Sequence, residues 1–149
     1  MIQEYDKTLY KRHDLFVPFQ DIPVNGLKLK QCLYLVEKNK DKIKEKYNNT
    51  IGTASSVYSP QGIIVARVAK EFGFKSVLLI GNHLTIEKCI ENHYNLRLAK
   101  KLGCEISVAS KLAYNNVLYR FLHKLPPWRT RRVSCIYQSF IRPDSGGLR

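Results

Sequence analysis

The residues of this chain best placed to bind a ligand lie in the segment TIGTASSVYSPQG, residues 50–62. TIGTAS has the pattern of a short strand. Ser59-Pro60 is typical of a helix start, with a serine able to cap and proline at the first helical position. In α/β proteins, ligands bind beyond the carboxyl ends of the strands, near helix N-termini. The sequence therefore predicts a ligand site at residues 53–62.

Metal and nucleotide chemistry have no support in the motifs of this sequence. The four cysteines, at 32, 89, 104 and 135, form no CxxC pair, and the four histidines lack HExxH or other ligand spacing. We expect no metal, and we expect the cysteines to be buried free thiols in a reducing compartment. Neither GxGxxG nor a P-loop motif occurs, which disfavours dinucleotide and P-loop sites.

The elements that must position this site alternate between helix and strand. From Leu27 onward, apolar residues recur at helical spacing on one face. They are Leu29, Leu33, Val36, Ile43 and Tyr47. The lysines that alternate over 38–46 are interpreted as a solvated helix face.

Further helices are predicted from Ser59-Pro60 to Gly73, over 85–102 and over 111–125, and strands over 50–55, 75–81 and 104–110. Residues 8–17 are predicted to be a short strand or edge segment. Glycines at 73 and 103 stand where left-handed residues end helices. This alternation predicts an α/β fold with a parallel, doubly wound, three-layer sheet.

Composition and charge narrow the class of protein. The 149 residues, 44% of them hydrophobic and 25% charged, are ordinary for a single globular domain. No apolar run is long enough for a membrane span, and the charged start MIQEYDKTLYKRHD does not fit a signal peptide. We therefore expect a soluble, cytoplasmic protein without a membrane partner. The net charge of +13 suggests an anionic partner, but charge alone is a weak sign of nucleic-acid binding.

The character of the chain changes after Leu125. The last 25 residues hold five arginines, no lysine and one acid, and their apolar residues follow no period. We interpret residues 1–125 as the α/β domain and residues 126–149 as an Arg-rich tail that is flexible or foreign to it. A basic recognition arm is the alternative for this tail.

Three segments, in order, resemble the fold-type-II pyridoxal-phosphate enzymes of the tryptophan synthase β superfamily. KRHDLF (11–16) is similar to their KREDL element. NGLKLKQCLYL (25–35) is similar to the GNKxRKLEF element of the branch that contains aminocyclopropane-carboxylate deaminase and D-cysteine desulfhydrase. TASSVYSPQGIIVARVAKEFGFKSVLLI (53–80) resembles the strand, loop, helix and strand that follow. With LAKKLGCEISV (98–108), the likeness covers roughly residues 9–110.

The resemblance implies roles for individual residues. Lys28 corresponds to the lysine that binds pyridoxal phosphate covalently, and Lys30 matches an arginine that would supply a positive neighbour. A neutral amine is needed there, which burial and nearby cations favour. Ser59 and Gln61 match loop positions beside the cofactor ring.

The same resemblance assigns substrate binding to the loop. Together with Ser55 and Ser56, Ser59 and Gln61 would hold the substrate carboxylate. Pro60 replaces the asparagine that contacts the ring oxygen in the family. The structural alternatives are that Lys28 and Lys30 are solvated residues of a helix start and that Ser59 is a plain cap.

The resemblance also implies what this chain lacks. In the family, a glycine-rich loop in the later half holds the cofactor phosphate, and nothing after residue 110 resembles it. We therefore expect the N-terminal part of a deaminase or lyase acting on a small amino acid, inactive alone. Its site should face water, and the chain should form a homo-oligomer.

Two hypotheses of other classes remain. The chain could be a non-catalytic α/β remnant that serves as a protein-interaction module, or a basic nucleic-acid-binding accessory protein that uses its tail.

Overall fold

The computed structural model describes residues 2–82 and 84–109, together with the backbone of Ser134–Cys135. Over these residues the chain forms a mixed α/β structure with a parallel sheet and four helices. In chain order the elements are β1 (Ile2–Tyr5), β2 (Thr8–Lys11), α1 (Leu27–Lys46), β3 (Thr50–Ser55), α2 (Gln61–Glu71), β4 (Lys75–Gly81), α3 (Ile86–Asn92), α4 (Tyr94–Lys101), β5 (Glu105–Ala109) and β6 (Ser134–Cys135).

The parallel sheet has the strand order β5-β4-β3-β6. β3 and β4 pair over their length, from Thr50 opposite Lys75 to Ser55 opposite Ile80. Leu78 and Ile80 lie in one hydrophobic cluster, and Val77 and Leu79, which point to the opposite face of β4, are buried as well. Both faces of the central strand are therefore covered, as the continuous apolar run predicts.

Helix α2 packs against β3, β4, α1 and α4 and lies at the centre of the described core. Gly62 allows its close approach to the sheet, because a Cβ at this position would lie 2.6 Å from Cδ2 of Leu78. The helix ends as the sequence predicts. Gly73 has a φ of +69°, and the amide of Phe74 donates to the carbonyl of Ala69 at 2.8 Å.

The predicted helix over 85–102 is wrong as a single element. His93 has an extended backbone (φ −125°, ψ 113°) that ends α3, and its carbonyl accepts bonds from the amides of Leu96 and Arg97 to begin α4. Thr85 caps α3 by accepting a bond from the amide of Lys88. The break lets Cys89 and Leu96 both point into the core, so the two helices share one cluster.

The N-terminal segment forms a separate hairpin, of which only the second strand is predicted from the sequence. β1 and β2 pair antiparallel from Ile2 opposite Lys11 to Tyr5 opposite Thr8. The two turn residues, Asp6 and Lys7, have φ values of +46° and +60°, the conformation that matches the twist of a tight hairpin.

Two predictions concern residues that are described in part or not at all. The predicted helix over 111–125 lies outside the described residues. Within 126–149, the backbone of Ser134–Cys135 pairs parallel with Ile51 and Gly52 of β3. The interpretation of that segment as a flexible or foreign tail stays a prediction.

Candidate active site

The start of α1, which carries Lys28 and Lys30, is held against the segment KRHDLF. The amide of Gly26 donates to the carbonyl of Phe16 at 3.1 Å, and Nδ2 of Asn25 donates to the carbonyl of Asp14 at 3.0 Å. Gly26 has a φ of +86°, which a residue with a side chain rarely adopts. Two of the three segments that carry the family resemblance are thus in contact.

Lys28 and Lys30 both lie in the first turn of α1 with exposed side chains. Nζ of Lys30 lies 5.9 Å from the centroid of the Phe16 ring, a distance at which a cation–π attraction operates. Lys28 faces solvent, in agreement with the expectation that it lies on an open surface. Within the described part of the chain, no hydrogen bond or ion pair joins either lysine to the loop over 55–61.

The helices α1 and α2 both begin beyond the carboxyl end of β3. A three-residue turn over 47–49 joins α1 to β3, and the helix is buried at Leu29, Val36 and Ile43, so it runs back along the strand. At about 1.5 Å per residue, its 20 residues are longer than the six of β3 at about 3.3 Å each. Its first turn, with Lys28, therefore lies at the same edge as the loop that leads into α2.

The loop residues predicted to bind the carboxylate differ in accessibility. Ser55 ends β3 and is buried, and its hydroxyl donates to the carbonyl of Ser56 at 3.2 Å. Ser56 is exposed, Ser59 is half-buried and Gln61 is buried. Oγ of Ser59 accepts a bond from the amide of Gln61 at 3.2 Å, so the predicted cap is confirmed.

The electrostatics of this edge favour an anion. Neither α1 nor α2 has an acidic residue in its first turn, so the partial positive charge of each N-terminus is unopposed there. Pro60 has helical angles (φ −71°, ψ −2°), and its missing N–H is one that a helix start would leave unpaired in any case. The edge can therefore attract a carboxylate or a phosphate.

Sequence reasoning missed two residues that border the loop. Nδ2 of Asn95 donates to the carbonyl of Tyr58 at 2.8 Å, and the His93 ring meets the Tyr58 ring edge-on with centroids 5.0 Å apart. Both residues lie at the start of α4, which the sequence reads as the middle of a longer helix. No local signal reveals a contact across 37 residues.

The buried cysteines are unsuited to nucleophilic chemistry. Cys32, Cys89 and Cys104 are free and buried, as predicted. Burial raises the pKa of the Cys32 thiol to about 12 and that of the Cys104 thiol to about 11, and it also raises the pKa of Cys89. A thiol with so high a pKa supplies little thiolate near neutral pH.

Among the described residues, no group of three or more His, Cys, Asp or Glu side chains could hold a metal ion. Over the same residues, no helix is long and apolar enough to cross a membrane. Comparison with models of known protein families found no matching family, and comparison with curated proteins found no matching protein.

Proposed function

We propose that this chain is the lysine-bearing part of a pyridoxal-phosphate-dependent deaminase or lyase that acts on a small amino acid. The observation that carries the proposal is the common location of Lys28 and the loop over 55–61. Both lie at the carboxyl edge of the parallel sheet, at the starts of α1 and α2. The family resemblance assigns the cofactor to the first and the substrate carboxylate to the second.

The residues present fit the proposed cofactor at its reactive end. An aldehyde reacts with an accessible amine, and the side chain of Lys28 is exposed with Lys30 one turn-width away on the same helix start. When bound, pyridoxal phosphate supplies an electron sink for breaking bonds at the α-carbon of an amino acid. In the complete enzyme, Nζ of Lys28 would take up the α-proton, and Lys30 would favour its neutral form.

The loop residues divide the task of holding the carboxylate. Ser56 is exposed and can donate its hydroxyl to an anion, whereas the hydroxyl of Ser55 is already bonded to the carbonyl of Ser56. Ser59 accepts from the amide of Gln61, which leaves its own O–H available as a donor. We infer that Ser56, Ser59 and the α2 N-terminus bind the carboxylate directly, and that Ser55 and Gln61 support them from below.

The finer architecture is part of the same proposal. Burial of Val77 and Leu79 on one face of β4, and of Leu78 and Ile80 on the other, supports a doubly wound sheet of three layers. Since no segment resembles the family's glycine-rich phosphate loop, we propose that the chain alone has no appreciable turnover. The three buried free thiols support a reducing compartment, for which we propose the cytoplasm.

One observation favours the second hypothesis, a protein-interaction module. Large apolar side chains are exposed in the segment beside the start of α1 and along that helix. They are Leu15, Val17, Leu27 and Tyr34. Exposed apolar residues of this kind favour association, and we propose a second copy of the chain as the partner. The nucleic-acid hypothesis rests on residues 126–149 and stays a prediction.

Labelling with pyridoxal phosphate followed by borohydride reduction tests the proposed function. We expect peptide mapping to find the adduct at Lys28 in preference to the other 15 lysines. Lys42→Ala, which removes another exposed lysine of α1, is the matched control and should leave the labelling of Lys28 unchanged. Label spread evenly over the exposed lysines would contradict the assignment.

A further inference from the structure

We propose that Asn95 is a positioning residue that holds the loop over 56–60 in the conformation in which Ser59 caps α2 and the helix N-terminus is open to a carboxylate. The identity of this ligand rests on the proposed function. The positioning itself rests on contacts between the loop and the start of α4, which no signal in the sequence reveals.

The loop has few other attachments. Val57 is buried in the cluster below the loop, whereas Ser56, Tyr58 and Pro60 are exposed. The bond from Nδ2 of Asn95 to the carbonyl of Tyr58 is 2.8 Å long and acts on the residue next to Ser59. Because the amide side chain comes from another helix, it ties the loop to a rigid element rather than to itself.

The ring of Tyr58 gives the second attachment. It is 77% exposed, so burial in a core does not hold it, and its described ring contact is the edge-on packing against His93. His93 sits between α3 and α4, where the extended backbone turns its side chain toward the loop. The break between the two helices thus brings both His93 and Asn95 to Tyr58.

The contacts define the order of effects. Losing the Asn95 donor should release the Tyr58 carbonyl, loosen Ser59 and weaken the bond that Oγ of Ser59 accepts from the amide of Gln61. The global fold should change little, because the hydrogen bond lies at the surface and the core residue Val57 is untouched. A local loss of order at the α2 N-terminus is the signature of positioning.

Hydrogen exchange of the Gln61 amide, followed by NMR on the full chain, tests this order. In Asn95→Asp, which keeps the size of the side chain and removes its N–H donor, we expect exchange at Gln61 to rise roughly fivefold. Asn39→Asp is the matched control, since Nδ2 of Asn39 donates to the carbonyl of Leu35 at 2.8 Å within α1. This control should leave exchange at Gln61 unchanged. The amides of Phe74 and Cys104 should exchange as in the unmodified chain in both variants.

A titration with alanine in the presence of pyridoxal phosphate, followed by the chemical shift of the Gln61 amide, tests the open carboxylate site. We expect Asn95→Asp to raise the half-saturating alanine concentration severalfold, and His93→Phe, which keeps a ring, to raise it less than His93→Ala. Unchanged exchange at Gln61 in Asn95→Asp, or increased exchange with unchanged alanine binding, would overturn the proposal. Failure to label Lys28 would instead overturn the proposed function, because the exchange measurement does not depend on the cofactor.

Discussion

The amide of Gly26 donates a hydrogen bond to the carbonyl of Phe16 at 3.1 Å, and this bond joins the segment before α1 to the first turn of the helix. With the bond from Asn25 to Asp14, it sets the direction in which α1 leaves the turn. Lys28 follows two residues after Gly26. The placement of the candidate catalytic lysine thus depends on a contact between two segments that lie about ten residues apart.

Replacing Ser59 by alanine should destabilise the chain by about 1 kcal/mol, because the amide of Gln61 loses the acceptor that caps α2. Urea unfolding followed by circular dichroism measures this change. Ser56→Ala is the control, since Ser56 is exposed and precedes the helix start. An equal effect of the two substitutions would show that the cap contributes nothing.

Gly62→Ala should destabilise the chain by about 1–3 kcal/mol, since the added Cβ would lie 2.6 Å from Cδ2 of the buried Leu78. Leu78 cannot move into solvent, so the helix or the strand must shift. The double variant with Leu78→Val should recover part of the loss if the methyl contact is the cause. Thermal unfolding of the single and double variants checks both statements, and an additive result would contradict them.

Asp21 should make the stability of the chain sensitive to acid. The hydrogen bond from Arg67, at 2.9 Å, holds the pKa of the Asp21 carboxyl below its ordinary value of 3.8. Because the folded-state pKa is the lower one, the ion pair stabilises the fold above the unfolded pKa and is lost as the pH falls through the folded value.

We therefore expect Asp21→Asn to lower stability at neutral pH and to reduce its decline below about pH 4. Asp41→Asn, on the exposed face of α1, should leave that decline as it is. Urea unfolding at a series of pH values from 2 to 7 provides the comparison. A decline that is equally steep in Asp21→Asn would show that other carboxyls cause it.

Cys32 and Cys104 should react slowly with thiol reagents in the folded chain. Burial raises their pKa values to about 12 and about 11, so at pH 8 their thiolate fractions fall roughly a hundredfold or more below that of an exposed cysteine. Alkylation at pH 8, resolved by peptide mapping, should be slow at both sites and fast after denaturation. Rapid labelling of Cys32 without denaturant would show that this part of the core opens readily.

The two ends of α2 illustrate how far local signals reach. Ser59-Pro60 predicts its start and Gly73 its end, and both are confirmed, because capping and left-handed termination depend on neighbouring residues alone. The break at His93 could not be predicted in this way. Helical periodicity continues through 85–102, and the break is stabilised by contacts that α3 and α4 make with distant elements.

The strands of the parallel sheet were predictable for a related reason. Apolar runs such as KSVLLIG must be buried on both faces, so their composition alone predicts a central parallel strand. The hairpin of β1 and β2 carries no such run. Its strands are exposed at Ile2, Tyr5 and Leu9, and Asp6-Lys7 is not the turn sequence that most favours a hairpin.

For the candidate site, the sequence by itself determined where the loop over 55–61 begins and ends and which residue caps the helix that follows. Those features depend on hydrogen bonds between residues two or three positions apart. Only the tertiary structure decided that Phe16 lies against Gly26 and that Asn95 and His93 lie against Tyr58. Such contacts depend on how helices pack on a sheet, and packing is the sum of many weak apolar contacts that no short stretch of sequence encodes.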